Sequence, residues 1–224
     1  FASSFKLFNF RAEIADYNQR NPRREYSLND RKCWKCGKPS NKIDEIFFCK
    51  CGVVQSVRDV SYFEIIGIKD SFDVDTTDLS NKYKELQKLL HPDKHTLKSE
   101  TEKQLAEEQS SLVNKAYTTL IKPLNRALYM LERAGQPLEE ENSSVDQEFL
   151  VEIMEINEEI AEADSTEALK PIDNVNKERL DENIKSLSTA FKNGDITMAK
   201  NLVIRLKYFT NIDEKIKEIH RGQY

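Results

Sequence analysis

The sequence has 224 residues, with 34 Lys and Arg against 39 Asp and Glu, and a formal net charge of −5 at pH 7. Charged residues make up 33% of the chain and Gly and Pro only six residues each, which is typical of a helix-rich protein. No run of eighteen apolar residues occurs, so the sequence predicts no membrane-spanning helix.

Residues 1–31 show no clear hydrophobic period and combine scattered Phe and Arg with several acidic residues. Mitochondrial targeting segments are rich in Arg and poor in acids, so these residues fit that pattern only in part. We interpret them as an N-terminal extension, either disordered or the remnant of a targeting segment. Because the chain starts at Phe1, we expect that an upstream piece is missing or was removed.

The four cysteines all lie within residues 32–57, at Cys33, Cys36, Cys49 and Cys51. A disulfide framework is normally spread through a fold, whereas clustered pairs indicate a metal site. We predict a small β-hairpin module, with strands at 46–48 and 53–54, around a structural zinc ion. Iron or a redox-labile thiol pair are the alternatives. The single residue between the last two cysteines is expected to strain this module.

From Ser61 the pattern becomes helical. Ser61 with Glu64 three residues later predicts a capping box on a short helix that ends at Gly67. An apolar stripe then predicts a helix over residues 76–90, which Pro92 stops. Two further helices follow, over residues 100–120 and 124–133, on either side of Pro123.

Beyond a linker, three longer helical patterns cover residues 145–163, 166–192 and 195–219. Their short connections imply antiparallel neighbours and therefore a three-helix bundle. Pro171 indicates either that the second of these helices begins there or that it is kinked.

The tripeptide His91-Pro92-Asp93 lies at the end of a helix, before a loop and a second long helix. With the basic, Tyr-containing helix before it and the segment Leu112–Leu120 after it, the arrangement resembles the J domain, a four-helix fold. The resemblance implies docking on an ATP-driven, DnaK-class heat-shock chaperone through His91, Pro92, Asp93, Lys84, Lys88 and Lys94. A simple helix-stop turn with solvated lysines is the alternative.

The segment Lys122–Leu131 and the acidic bundle after it resemble the HscB (Jac-type) family of iron–sulfur cluster co-chaperones. Animal members carry an N-terminal tetracysteine module, which extends the resemblance to about residue 32. The family implies stimulation of the chaperone's ATPase and delivery of the iron–sulfur scaffold protein to it. It also implies the mitochondrial matrix, with the cytoplasm as a second location. The matching scaffold-binding positions are Leu150, Val151, Met154, Glu155, Glu158 and Tyr208.

The helix at 145–163 also carries two apolar strips. One strip, expected to be buried, consists of Phe149, Ile153, Ile156 and Ile160. The second contains Leu150, Val151 and Met154. A helix needs only one apolar face to pack, so the second strip faces either a partner or the rest of the chain. Acidic residues surround it, since residues 139–167 hold twelve Asp and Glu and no Lys or Arg.

The predicted organisation is mainly α: residues 1–31 an extension, 32–57 the metal module, 58–137 the J domain, 138–144 a linker and 145–224 the three-helix bundle. A general J-domain co-chaperone for other clients is the alternative function. A nucleic-acid-binding zinc protein is disfavoured, because Asp44 and Glu45 dilute the lysines around Trp34. With three His and no catalytic pattern, an enzyme is not expected. Self-association is left open.

Overall fold

The computed structural model describes residues 32–39, 46–57, 59–95, 98–138 and 146–222. The predicted extension at 1–31 and almost all of the predicted linker lie outside these residues. Within them the mainly α prediction is confirmed. The helices are α1 Tyr62–Ile66, α2 Thr76–Leu90, α3 Glu100–Ile121, α4 Pro123–Arg133, α5 Gln147–Glu162, α6 Thr166–Asn193 and α7 Ile196–Gly222, with a 3-10 helix at Pro92–His95. None of the helices described is long and apolar enough to cross a membrane.

The β-hairpin predicted for the cysteine module is not formed among the described residues. Two isolated antiparallel bridges take its place, Lys32 with Pro39 and Phe48 with Val54. The second bridge is made by two backbone bonds, from the N–H of Cys49 to the C=O of Val53 at 3.0 Å and from the N–H of Gln55 to the C=O of Phe47 at 2.8 Å. A strand needs several consecutive bridges, whereas the turn closed by the Gly52 N–H on the C=O of Cys49 lies directly beside this single bridge, so the prediction of two strands was wrong.

The chain divides into two compact units, Phe1–Ile121 and Lys122–Tyr224. In the first, α1 begins with the predicted capping box: Ser61 Oγ accepts from the Glu64 N–H at 3.2 Å, and the Glu64 carboxylate accepts from the Ser61 N–H at 2.8 Å. Helices α2 and α3 pack as a hairpin. Tyr83 and Tyr117 stack across it with ring centroids 4.1 Å apart. This hairpin presents the HPD tripeptide at its end.

In the second unit, α5, α6 and α7 share one apolar core. Its buried residues are Phe149, Ile153, Ile160, Leu169, Phe209, Ile212 and Ile216. Asp146 pairs with Arg205, and Asn157 accepts from Lys215, so α5 and α7 run in the same direction. Helix α6 connects them along the chain, runs in the opposite direction and packs against both. Helix α4 packs on α7.

Helix α6 begins at Thr166, where the Ser165 hydroxyl caps the N–H of Ala168 at 3.3 Å. The alternative that this helix begins at Pro171 is therefore wrong. Pro171 lies inside the helix, where it has no N–H to donate to the carbonyl one turn earlier.

Candidate metal centre and binding surfaces

The four cysteine sulfurs converge on one point. All four Sγ atoms lie within 4.8 Å of one another. The Cys33–Cys51 and Cys36–Cys49 Sγ pairs are each 3.7 Å apart, and all four cysteines are free. A tetrahedral zinc site with Zn–S bonds of about 2.3 Å needs sulfurs about 3.8 Å apart. The donor set and its spacing therefore fit a four-sulfur metal site.

Two glycine turns bring the sulfurs together. Gly37 donates its N–H to the C=O of Cys33 at 3.0 Å, and Gly52 donates to the C=O of Cys49 at 2.8 Å. Both glycines have positive φ, 67° and 85°, a conformation that costs a residue with a side chain about 1–2 kcal/mol. Because Gly52 turns the chain directly after Cys51, the short Cys49–Cys51 spacing still delivers both sulfurs to the cluster.

The two buried thiols differ in acidity. Burial raises the pKa of Cys33, but N–H groups of Cys36 and Lys35 and contacts with neighbouring thiols outweigh it and lower the pKa to about 6. For Cys49 the N–H of Cys51 lowers the pKa, whereas burial and the adjacent sulfurs raise it to about 12. The Cys33 thiolate therefore forms readily and opposes ionisation of Cys49, which a cation among the sulfurs would favour.

Gln55 is a residue of this site that the sequence did not single out. It is buried to 1% exposure, and its Nε2 lies 3.4 Å from Cys33 Sγ. Trp34 Nε1 also closes the module, since it donates to the C=O of Val54 at 2.7 Å. A Gln after two valines carries no pattern that predicts burial, so only the fold reveals its position.

The HPD tip is held by backbone hydrogen bonds and exposes the His91 and Asp93 side chains. The His91 N–H donates to the C=O of Gln87 at 2.9 Å, and the His91 C=O accepts from the Lys94 N–H at 3.0 Å. His91 Nδ1 lies 3.3 Å from the Asp93 backbone nitrogen and 3.4 Å from Oδ2 of the Asp93 carboxylate. The two side chains are 55% and 86% exposed. The loop thus offers a preformed donor and carboxylate to a partner.

The predicted basic residues lie around this tip. Lys84 and Lys88 are exposed one turn apart on α2, on the side opposite the fully buried Leu79 and Leu90. Lys94 is exposed in the 3-10 helix that follows. The structure therefore brings the predicted chaperone-binding residues to one end of the α2–α3 hairpin and to the outer face of α2.

On α5 the second apolar strip faces away from the core of its unit. We call Leu150, Val151, Met154, Glu155 and Glu158 the α5 strip. Val151 is 49% and Met154 63% exposed, Leu150 is half-buried, and both glutamates are exposed. The alternative that the strip is intramolecular core does not hold for Val151 and Met154. The structure therefore leaves this apolar pair exposed beside two carboxylates.

Tyr208, the last predicted scaffold-binding residue, lies elsewhere. Its ring packs edge-on against buried Phe149, with centroids 5.6 Å apart. Val151 lies about 160° round the helix from Phe149, so Tyr208 is on the core side of α5 and apart from the exposed pair. Arg205, which the sequence did not single out, covers the Phe149 ring at 4.8 Å and reaches Asp146 at 3.9 Å.

Two protein-family models match the chain. A DnaJ domain model matches residues 61–129, and a model described as the HSCB C-terminal oligomerisation domain matches residues 145–217. Together they cover the HPD tip and the α5 strip.

Curated relatives and solved structures agree with these matches. The human iron–sulfur cluster co-chaperone protein HscB is 42% identical over 192 residues, which cover 83% of this chain and 81% of the human protein. An Arabidopsis thaliana HscB homologue is 37% identical, over 82% of this chain and 72% of the plant protein. The crystal structure of human HscB matches with a TM-score of 0.80 at 40% identity, and covers 85% of this chain and 98% of that one. HscB from Vibrio cholerae matches with a TM-score of 0.65 at 28% identity, over 74% of this chain and all of that one.

Proposed function

Because the chain belongs to the HscB family of iron–sulfur cluster co-chaperones, we propose that it stimulates the ATPase of a DnaK-class heat-shock chaperone and delivers an iron–sulfur scaffold protein to it. It acts as a binding protein and not as an enzyme. The observation that carries the proposal is the presence of two unlike exposed surfaces in two compact units, the polar HPD tip and the apolar, acidic α5 strip.

The HPD tip is suited to a charged partner. His91 and Asp93 offer a ring N–H and a carboxylate, which form strong hydrogen bonds when the opposing group is charged, as an arginine is. Lys84, Lys88 and Lys94 add positive charge beside them, which accelerates the approach of an acidic surface. Because backbone hydrogen bonds hold His91 and Lys94 in place, docking here is expected to cost little conformational entropy.

The chaperone contact is tested with His91→Gln and Asp93→Asn, with Asp73→Asn as the control in another exposed loop of the same unit. We expect both HPD variants to lose ATPase stimulation by about tenfold or more, because a charge-assisted contact worth roughly 1.5–3 kcal/mol is removed. Melting temperature and scaffold affinity should stay unchanged. Full stimulation by either HPD variant contradicts this part of the proposal.

The α5 strip is suited to an apolar partner surface bordered by basic residues. Glu155 and Glu158 are exposed and complement such a border, while Val151 and Met154 provide the apolar contact. Apolar anchors of this kind, surrounded by polar groups, dominate the binding energy of small interfaces.

The scaffold contact is tested with Leu150→Ala combined with Met154→Ala. We expect an affinity for the scaffold lower by about a hundredfold, since each truncated anchor costs on the order of 1–3 kcal/mol. Met198→Ala is the matched control, because Met198 is a 46% exposed methionine on α7. Unchanged scaffold binding by the double variant, together with intact ATPase stimulation, would favour a general J-domain co-chaperone that serves other clients.

The cysteine cluster is proposed to hold a structural zinc ion, supported by the 3.7 Å sulfur spacings. Cys33, Cys36, Cys49 and Cys51 would supply all four ligands, and such a closed site stabilises a small module and leaves no position for a substrate. Elemental analysis of freshly reduced protein should find about one zinc per chain; a stoichiometric amount of iron, or no metal, contradicts the proposal.

The proposed location is the mitochondrial matrix, where the reducing conditions keep the thiols available for metal. Fractionation of cells that express the protein tests this location, and recovery in the cytoplasm alone contradicts it. Self-association stays a prediction that sedimentation at several protein concentrations can test.

A further inference from the structure

Gln55 uses its polar groups to join the cysteine cluster to helix α3. Its side-chain Nε2 lies within hydrogen-bond distance of Cys33 Sγ at 3.4 Å and of the C=O groups of Val53 and Val54 at 3.1 and 3.2 Å. Its backbone N–H donates to the C=O of Phe47 at 2.8 Å. Its own C=O accepts from Gln109 Nε2, on α3, at 3.0 Å. The bond crosses 54 residues of sequence and is buried at both ends. Gln55 therefore contacts both the cysteine cluster and helix α3.

The bond to Gln55 satisfies the only hydrogen-bonded end of the Gln109 side-chain amide among the described residues. The residue is fully buried in α3, and its Oε1 has no hydrogen-bond partner among the described residues. The bond from Nε2 to Gln55 thus leaves only half of the amide satisfied, and loss of it would leave a whole amide unpaired in the interior. The position of Gln109 is therefore sensitive to small displacements of Gln55.

Hydrogen bonds continue from this point to the HPD tip. Ser110, the residue after Gln109, is bonded to the Gln87 side chain twice: its C=O accepts at 3.1 Å and its hydroxyl donates at 2.9 Å. Gln87 lies on α2, and its C=O accepts the N–H of His91 at 2.9 Å. A connected set of polar contacts thus runs from Cys33 through Gln55, α3 and Gln87 to His91.

We propose that occupancy of the cysteine cluster is coupled to the order of the α2–α3 hairpin through Gln55 and Gln109. This inference rests on the metal part of the proposed function. A metal-held thiolate accepts a hydrogen bond more strongly than a thiol does, so the Gln55 amide is held more firmly when the sulfurs are ligated. Groups that bond to ligand sulfurs tune metal sites in this way. By thermodynamic linkage, an ordered α3 raises the metal affinity of the cluster by the same factor.

The test uses hydrogen exchange of α3 amides and zinc affinity by chelator competition on the full chain. In the unaltered protein, zinc should raise the protection of the α3 amides around Gln109 by about tenfold. Gln55→Met, of similar size but without the donor, should lower zinc affinity by about tenfold. Gln109→Met removes the donor to the Gln55 C=O, so it should abolish the zinc-dependent protection of α3. It should also lower zinc affinity by about tenfold, the factor expected from linkage. Gln104→Met is the control, since Gln104 lies exposed on the same helix.

The outcomes separate the two proposals. Zinc bound at one ion per chain with equal α3 exchange in its presence and absence would overturn the coupling and leave the metal site standing. Protein that binds no zinc at all would overturn both. Neither result touches the HPD and α5-strip assignments, which are measured by ATPase stimulation and scaffold affinity. Because the first comparison uses the unaltered chain with and without zinc, it does not depend on the folding of any variant.

Discussion

The cysteine module and the C-terminal helical unit are stabilised in different ways. The buried apolar residues in the described part of the module are Cys33, Ile46, Cys49, Val53 and Val54, and two of these five are cysteines. The apolar cluster shared by α5, α6 and α7 contains seven buried residues, and other apolar residues of these helices, such as Leu187 and Leu206, are buried as well. A module with so little apolar burial depends on its turns and sulfurs, whereas the helical unit can leave the α5 strip exposed because the opposite face of α5 supplies the stability.

The largest effect is expected from Cys33→Ser combined with Cys36→Ser, which should remove all bound zinc and disorder the module, because metal binding and folding are coupled there. Trp34 is the sole tryptophan, and its indole is bonded to Val54, so its fluorescence reports the module alone. We expect its emission to shift to the red while the helical circular dichroism stays nearly constant. A loss of helix signal larger than α1, α2 and α3 can supply would show that the C-terminal helical unit also depends on the module.

The next largest effect separates the two faces of α5. Ile153→Ala should lower the free energy of unfolding by about 2–4 kcal/mol, because it opens a cavity in the core. Its neighbour Met154 is 63% exposed, and Met154→Ala should change stability by less than about 0.5 kcal/mol. Urea denaturation measures both. Equal losses for the two variants would mean that the α5 strip is covered in solution.

A smaller effect is expected at a polar group inside the helical core. Asn176 is 2% exposed and donates to the C=O of Phe209 at 3.0 Å, while its Oδ1 has no partner among the described residues. Asn176→Ala should destabilise the unit by about 1 kcal/mol, since a buried hydrogen bond is lost but an unsatisfied oxygen is removed as well. Asn174→Ala, at an exposed position of the same helix, should leave the thermal midpoint in place.

The smallest effect concerns a single turn of the cysteine module. At Gly52 a Cβ would meet no atom within 4 Å, so Gly52→Ala is strained only by the positive φ of 85°. A strain of about 1 kcal/mol corresponds to a roughly fivefold lower zinc affinity. Gly222→Ala is the control, because Gly222 lies outside the module and has no positive φ. An unchanged zinc affinity for Gly52→Ala would show that the turn tolerates a side chain.

Much of the helical fold could be predicted because its signals are local. Helix α2 was predicted over residues 76–90 and is observed at Thr76–Leu90, since the Asp75 cap and Pro92 bound it within one turn. The strands at 46–48 and 53–54 were predicted wrongly. Their apolar residues are typical of strands, but among the described residues they pair only through the Phe48–Val54 bridge, directly beside the turn that Gly52 closes on Cys49.

The sequence by itself determined the groups that bear chemistry: four clustered cysteines, an HPD tripeptide between two helices, and a helix with two apolar strips. These groups can be recognised from their spacing along the sequence alone, because each motif occupies one short segment of the chain. Only the tertiary structure decided that Met154 is exposed while Tyr208 packs on Phe149, and that Gln109 contacts Gln55. Such contacts join residues 54 or more positions apart, and they depend on which surfaces meet after the helices pack, for which no local pattern exists.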